Sequence, residues 1–127
     1  MEKKISEKVI RCAFDVSNTL GAGFLEKVYE NALAISMEDA GLRVERQKAF
    51  SVCFKGREVG TYVADLVVNE RLLVELKALS ALAKDHEAQL MNYLKASGLG
   101  VGLLINFGTP RIGIKRIVWQ HDDKQSI

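Results

Sequence analysis

The chain has 127 residues, of which 48% are hydrophobic and 27% are charged, which is the size and apolar content of one domain with its own core. Its 18 basic residues nearly balance its 16 acidic residues and leave a formal net charge of +2. This balance excludes a polycation that binds nucleic acid through bulk charge, and it excludes an acidic solvating tail.

The two cysteines, Cys12 and Cys53, stand apart in the sequence, and His86 and His121 are the two histidines. This set cannot assemble a structural zinc site in the usual way. No apolar run approaches the roughly 20 residues that a membrane span requires, and the first residues lack the apolar centre of a secretion signal. We therefore expect one reduced, cytoplasmic domain over residues 1–127, with no membrane partner.

Helical periodicity dominates the first third of the chain. Apolar residues recur at three- and four-residue intervals from Ile5 to Leu20 and predict a first helix that stops at the glycine break at residues 21–23. Residues 24–40 predict a second helix, and Gly41 is placed to end it in the left-handed conformation.

A meander of strands is predicted from about residue 42 to residue 79, where β-branched and aromatic residues alternate with polar ones. Residues 52–54 and 62–68 flank a turn at residues 55–57. The loop 69–71 separates the second strand from a third at residues 72–77. The weakest strand pattern is the one before Val52.

The last part of the chain predicts a helix over residues 83–97 and two strands. The run 101–107 is almost wholly apolar, which is typical of a strand buried on both faces. Isoleucines at 112, 114 and 117 indicate a final strand nearer an edge, and the polar residues after Trp119 are expected to lie beyond it. The order of elements is α-α-β-β-β-α-β-β, an α/β arrangement.

Two acidic residues in the meander indicate chemistry. If residues 69–71 form a hairpin loop, Asp65 lies opposite Glu75, and strand alternation places Lys77 on the same face as Glu75. Two facing carboxylates repel each other unless a cation lies between them, and hard oxygen ligands select Mg²⁺ or Mn²⁺. A lysine beside that cation could orient or deprotonate a water, or stabilise charge developing on phosphorus.

An ordinary explanation competes with this one. Lys77 could neutralise Asp65 or Glu75 in a cross-strand salt bridge on a solvated sheet face. The neighbours of both acids are apolar, however, and charges inside central strands require a compensating partner.

Two further groups of polar residues lie on the predicted helices. Glu26 leans towards the apolar face of the second helix and could reach the metal, although a first-turn glutamate is also favoured by the helix dipole alone. On the third helix, the i and i+4 spacing places Gln89 and Tyr93 on one face. They could bind a phosphate or orient a water, but such pairs are common on amphipathic helices.

Together these residues resemble the PD-(D/E)XK nuclease superfamily and, within it, the family called GxxExxY proteins. Gly23, Glu26 and Tyr29 match the motif that names the family. Asp65, Glu75 and Lys77 match the superfamily signature, and Gln89 with Tyr93 match the QxxxY element of RecB-type members. The resemblance covers residues 20–119. Ala64 stands where the superfamily signature has its proline.

The resemblance implies a restriction-endonuclease-like core, a mixed sheet flanked by helices, and Mg²⁺-dependent hydrolysis of DNA phosphodiester bonds, with Mn²⁺ as a substitute. Asp65, Glu75 and the Leu76 carbonyl would hold the metal, and Glu26 would be an accessory ligand. Lys77 would be the catalytic lysine, with Gln89 and Tyr93 supporting the geometry.

A domain this small carries no appended DNA-recognition unit, so we expect a homo-oligomer or a protein partner to supply substrate binding. Eight basic residues could frame a local phosphate-binding surface, although a solvated face is the commoner role for most of them. They are Lys48, Lys55, Arg57, Lys84, Lys95, Arg111, Lys115 and Arg116. The alternative function is a non-catalytic module that keeps the nuclease fold to bind nucleic acid or protein.

Overall fold

The computed structural model describes residues 2–119, with side chains from Lys4 onward. His121 and the polar residues after Trp119 lie outside the described residues. The helices are α1 (Glu2–Leu20), α2 (Glu26–Asp39) and α3 (Lys84–Ser97). The strands are β1 (Val44–Phe54), β2 (Arg57–Val68), β3 (Leu72–Lys77), β4 (Val101–Asn106) and β5 (Gly113–Val118). The predicted order of elements is confirmed.

The five strands form one mixed sheet in the order β1-β2-β3-β4-β5. β3 and β4 run parallel, and the other neighbouring strands are antiparallel. A parallel pair needs a crossover connection, and α3 provides it. β4 is buried along its whole length, whereas β5 forms one edge with alternating partial exposure. Both features agree with the sequence prediction.

The first hairpin is longer than predicted. β1 begins eight residues before Val52, and Arg57 already pairs with Phe54, so the turn is the dipeptide Lys55 and Gly56 alone. Both turn residues have positive φ, 52° and 76°, as a two-residue hairpin turn requires. Most of the hairpin beyond Lys48 is exposed. β1 is the edge strand of the sheet and none of its residues is fully buried, so its apolar alternation is weak and the sequence pattern underestimated the strand length.

Helices cover both faces of the sheet. One core cluster joins α1 and α2 to the sheet through side chains such as Tyr29, Leu33 and Leu76. A second, smaller cluster joins α3 to the opposite face through Leu73, Leu90 and Leu94. The fold is therefore a three-layer α/β sandwich of the restriction-endonuclease-like type, as predicted.

Glycines end two of the helices as expected. Gly41 after α2 and Gly98 after α3 have φ of 86° and 78°, the left-handed conformation that terminates helices at low steric cost. Among residues 2–119, no helix has the length and apolar character needed to cross a membrane.

Candidate active site

The side chains of Asp65 and Glu75 each accept a hydrogen bond from the opposite strand, at the point where the regular pairing of β2 with β3 ends. The two strands pair Val68 with Leu72, which is the predicted register, and the regular pairing ends at Leu66 and Val74. Beyond this pair, side-chain carboxylates rather than backbone carbonyls accept the hydrogen bonds between the two strands. The backbone N–H of Asp65 donates to Glu75 Oε2 at 2.9 Å, and the backbone N–H of Leu76 donates to Asp65 Oδ2 at 2.8 Å. The two acids are thus held beside each other.

Burial of these carboxylates disfavours their charged forms. Glu75 is 7% exposed. Its burial and the nearby charge of Asp65 raise its pKa to about 8. Burial also raises the pKa of Asp65, although the hydrogen bond from the Leu76 N–H opposes this rise. When both acids are ionised, the neighbouring groups of the protein offset their negative charge only in part.

Lys77 does not neutralise this pair. The alternation of β3 buries Leu76 in the core under α1 and α2 and directs Glu75 and Lys77 to the other face. The charge of Lys77 lowers the pKa of Glu75 only as a secondary influence. No ion pair within the described part of the chain includes Lys77. The cross-strand salt bridge that the ordinary explanation requires is absent there.

Glu26 approaches the acids from the first turn of α2. Burial and then the charge of Asp65 raise its pKa, and Lys77 opposes this. The loop before α2 is tied down by Tyr29, which is fully buried. The Tyr29 hydroxyl donates to the Gly21 carbonyl at 2.6 Å and accepts from the Phe24 N–H at 3.1 Å. The tyrosine thus fixes the point where the helix begins and with it the position of Glu26.

Aromatic side chains border the acids on the α3 side. Tyr93 stacks on Tyr62, with ring centroids 3.7 Å apart. Burial, followed by the charges of Glu75 and Asp65, raises the pKa of Tyr93. Gln89 lies one turn earlier with its side chain exposed, and it makes no hydrogen bond that the structure describes. The structure therefore brings Tyr93 to the acids but leaves Gln89 at the surface.

The sequence analysis missed Glu30 and Asn106. Glu30 is one helical turn after Glu26, and its side chain is 4% exposed while it pairs with Lys27 and Arg46 at 3.0 and 3.4 Å. The i, i+4 spacing of two glutamates was a usable signal for it. Asn106 at the end of β4 bonds the backbone of Leu79 in both directions. This amide fixes the segment that follows Lys77.

The donor set fits a hard divalent cation in type. Asp65 and Glu75 supply buried carboxylates whose mutual repulsion a cation would relieve, and oxygen ligands are those that Mg²⁺ and Mn²⁺ prefer. Among residues 2–119, however, no three Asp, Glu, His or Cys side chains stand close enough to form a complete site. Glu26 would have to change its side-chain conformation to join the pair.

A family profile described as the PD-(D/E)XK nuclease superfamily matches residues 3–117, which is nearly the whole chain. The chain belongs to the PD-(D/E)XK nuclease superfamily. The matched range includes Asp65, Glu75 and Lys77, the residues that the sequence analysis compared with the signature of this superfamily.

Solved structures support the same fold. One, described as the crystal structure of SSO0001, superposes with a TM-score of 0.57 at 19% identity and covers 79% of this chain and 52% of its own. At this identity the likeness shows the fold alone, and this PD-(D/E)XK chain spans about half the length of that protein. No curated protein matches the chain.

Proposed function

We propose that this protein is a divalent-metal-dependent deoxyribonuclease of the GxxExxY family, hydrolysing phosphodiester bonds with Mg²⁺, or with Mn²⁺ in its place. One observation carries the proposal. Asp65 and Glu75 are held together by hydrogen bonds to each other's strands, yet the lysine on the same strand forms no described ion pair with either. Buried acids without a paired cation disfavour folding, so the arrangement is better explained by a bound metal.

Asp65 and Glu75 would hold the metal, with the Leu76 carbonyl as a further ligand and Glu26 as an accessory one. When bound, a divalent cation polarises a phosphoryl oxygen and lowers the pKa of a bound water. The raised pKa of Glu75, about 8, means that this carboxyl must lose a proton before it binds metal at neutral pH. Metal affinity should therefore rise as the pH increases towards 8.

Lys77 is the proposed catalytic lysine. It projects from β3 on the same face as Glu75 and is half-buried. Its ammonium group forms no described ion pair with the acids. In that position it can hold the attacking water by hydrogen bonding or stabilise the charge that develops on phosphate oxygens. Gln89 and Tyr93 would act from α3, on the substrate side of the acids.

A cleft on the α3 side of the sheet is a candidate binding surface for nucleic acid. It has a volume of about 540 Å³ and lies between the first hairpin and α3. Its lining is Ser51, Val52, Cys53, Asn92, Lys95 and Ala96. Lys95 contributes a positive charge to the lining of the cleft, and the exposed hairpin turn carries Lys55. Such a small basic surface suits a few phosphates, so we propose that a second copy or a protein partner completes DNA binding.

The test is DNA cleavage by the full chain in Mg²⁺ and in Mn²⁺, on linear, circular and single-stranded substrates. The informative variants are Asp65→Asn and Lys77→Ala, and Asp39→Asn is the matched control because Asp39 is exposed at the end of α2. We expect wild type and the control to cleave, and both site variants to lose at least about 100-fold of the rate.

Two results would contradict the proposal. Equal cleavage by wild type and both site variants would identify a contaminating nuclease. No cleavage by wild type, together with metal-independent DNA binding that Asp65→Asn retains, would instead establish the non-catalytic binding module.

A further inference from the structure

Gln47 adopts an unusual backbone conformation in the middle of β1. Its φ is 51°, a left-handed value that non-glycine residues seldom adopt. The other described non-glycine residues with positive φ are Lys55, Asn69 and Glu70, which all lie in the two hairpin turns where such values are required. Gln47 alone among them lies inside a strand, so no turn explains its conformation.

The irregularity in β1 lies opposite Asp65. The ladder pairs Arg46 with Leu66 and Lys48 with Ala64, but it skips Gln47 and Asp65 between them. Ala64 packs in the cluster under α3 and Leu66 in the cluster under α1 and α2. Residues two apart in a regular strand share a face, so the alternation of β2 shifts by one residue at Asp65.

The Gln47 side chain connects two acids. Its Nε2 donates to Glu30 Oε1 at 2.8 Å, and the side chain lies close enough to Asp65 to lower the pKa of that carboxyl slightly against the larger effect of burial. An ionised carboxylate only accepts hydrogen bonds, and a glutamine amide nitrogen carries two protons. One amide can therefore serve both acids at once.

Glu30 gives this amide a fixed anchor. Its nearly buried carboxylate is compensated by Lys27 from its own helix and by Arg46, the neighbour of Gln47 on β1. Arg46 also hydrogen-bonds the Asn31 amide oxygen. These contacts join α2 to β1 at the residue before Gln47. The position of the Gln47 amide is therefore fixed by the backbone of β1 and by its hydrogen bond to Glu30.

We infer that Gln47 is a positioning residue for the metal-binding carboxylate of Asp65, held in place by Glu30. Gln47 lies opposite Asp65 at the irregularity between the two strands, where its amide would orient the carboxylate that also accepts from the Leu76 N–H. This inference rests on the proposed function, because Asp65 is a ligand only if metal binds. Strain at a residue that also contacts the site is the pattern expected of such a role.

The test measures Mn²⁺ affinity by calorimetry and the melting temperature of the metal-free full chain. Gln47→Gly suits the positive φ but removes the amide. We expect it to melt near the wild-type temperature, because relief of the positive φ offsets the hydrogen bond lost by Glu30. It should bind Mn²⁺ about 10-fold to 100-fold more weakly, the usual cost of losing an outer-sphere hydrogen bond. A purely structural role would lower affinity and melting temperature together.

Two further variants complete the design. Glu70→Gly relieves a φ of 58° in the β2–β3 turn and should leave Mn²⁺ affinity unchanged. Gln47→Asn keeps an amide and tolerates left-handed backbone, but it is one methylene shorter and should lose affinity as Gln47→Gly does. Wild-type affinity in Gln47→Gly, or a loss matched by a lower melting temperature, would overturn the inference. Absence of Mn²⁺ binding by wild type would refute the metal site itself.

Discussion

Glu75→Gln should stabilise the metal-free protein while it abolishes metal binding. In the folded chain, burial raises the pKa of Glu75 from its ordinary 4.5 to about 8, so at pH 7 folding requires the uptake of a proton that the unfolded chain does not hold. One pKa unit corresponds to about 1.4 kcal/mol, which makes this cost about 3 kcal/mol at pH 7. Glutamine removes the cost and keeps an oxygen to accept from the Asp65 N–H.

The pH dependence gives the sign of the effect. A carboxyl with a raised folded pKa favours the folded state below pH 4.5, and this contribution is lost as the pH rises to about 8. The advantage of Glu75→Gln over wild type should therefore be about 1 kcal/mol at pH 5.5, grow to about 3 kcal/mol at pH 7, and level off above pH 8. At pH 7 that is a rise of roughly 10 °C in melting temperature.

The assay is thermal unfolding followed by circular dichroism in EDTA at several pH values. Glu38→Gln is the control, because Glu38 is exposed near the end of α2 and its substitution should change stability by less than about 0.5 kcal/mol. Adding Mn²⁺ should reverse the order, since a ligand stabilises only the protein that binds it. A variant less stable than wild type at pH 8, or a difference independent of pH, would refute the reasoning.

Three further predictions concern groups that frame the site, and urea unfolding measures each. Tyr29→Phe removes a hydroxyl that bonds two backbone groups of the preceding loop, so it should cost about 1–3 kcal/mol; unchanged stability would contradict this. Tyr62→Phe removes a buried hydroxyl with no partner among the described residues, so stability should be unchanged or higher by about 1 kcal/mol, and a clear loss would show a hidden partner. Gly108→Ala would place its Cβ 2.2 Å from the Leu79 carbonyl oxygen and should cost about 1–3 kcal/mol or more, whereas Gly60→Ala, with open space around it, should be milder.

Local patterns were sufficient to predict the order of elements and the pairing of β2 with β3. Strong apolar periodicity marked α1 and β4, and a three-residue loop between two apolar strands allowed one register that kept both apolar sets buried. That register predicts Asp65 beside Glu75. The same reasoning failed for the first hairpin, because β1 is an edge strand in which no residue is fully buried.

Two members of the site neighbourhood have roles that local patterns do not show: Gln47 has no local signal, and Glu30 has only its i, i+4 spacing from Glu26. Gln47 reads as an ordinary polar strand residue, and its positive φ follows from contacts with α2 and β2 that lie far from it in sequence. Glu30 reads as a helix glutamate beside Lys27, and its burial depends on where β1 packs against α2. Such residues acquire their roles only when distant segments come together.

The sequence by itself determined which acids share a face and which lysine accompanies them, because strand alternation and hairpin register are local properties. It left two explanations for that trio, a surface salt bridge or a metal site. Only the tertiary structure shows that the described residues form no such salt bridge. Packing of helices on both faces buries Glu75, while the interlocked hydrogen bonds occupy the acids and leave Lys77 outside any described ion pair. Burial and pairing depend on all the layers together, and no single segment encodes them.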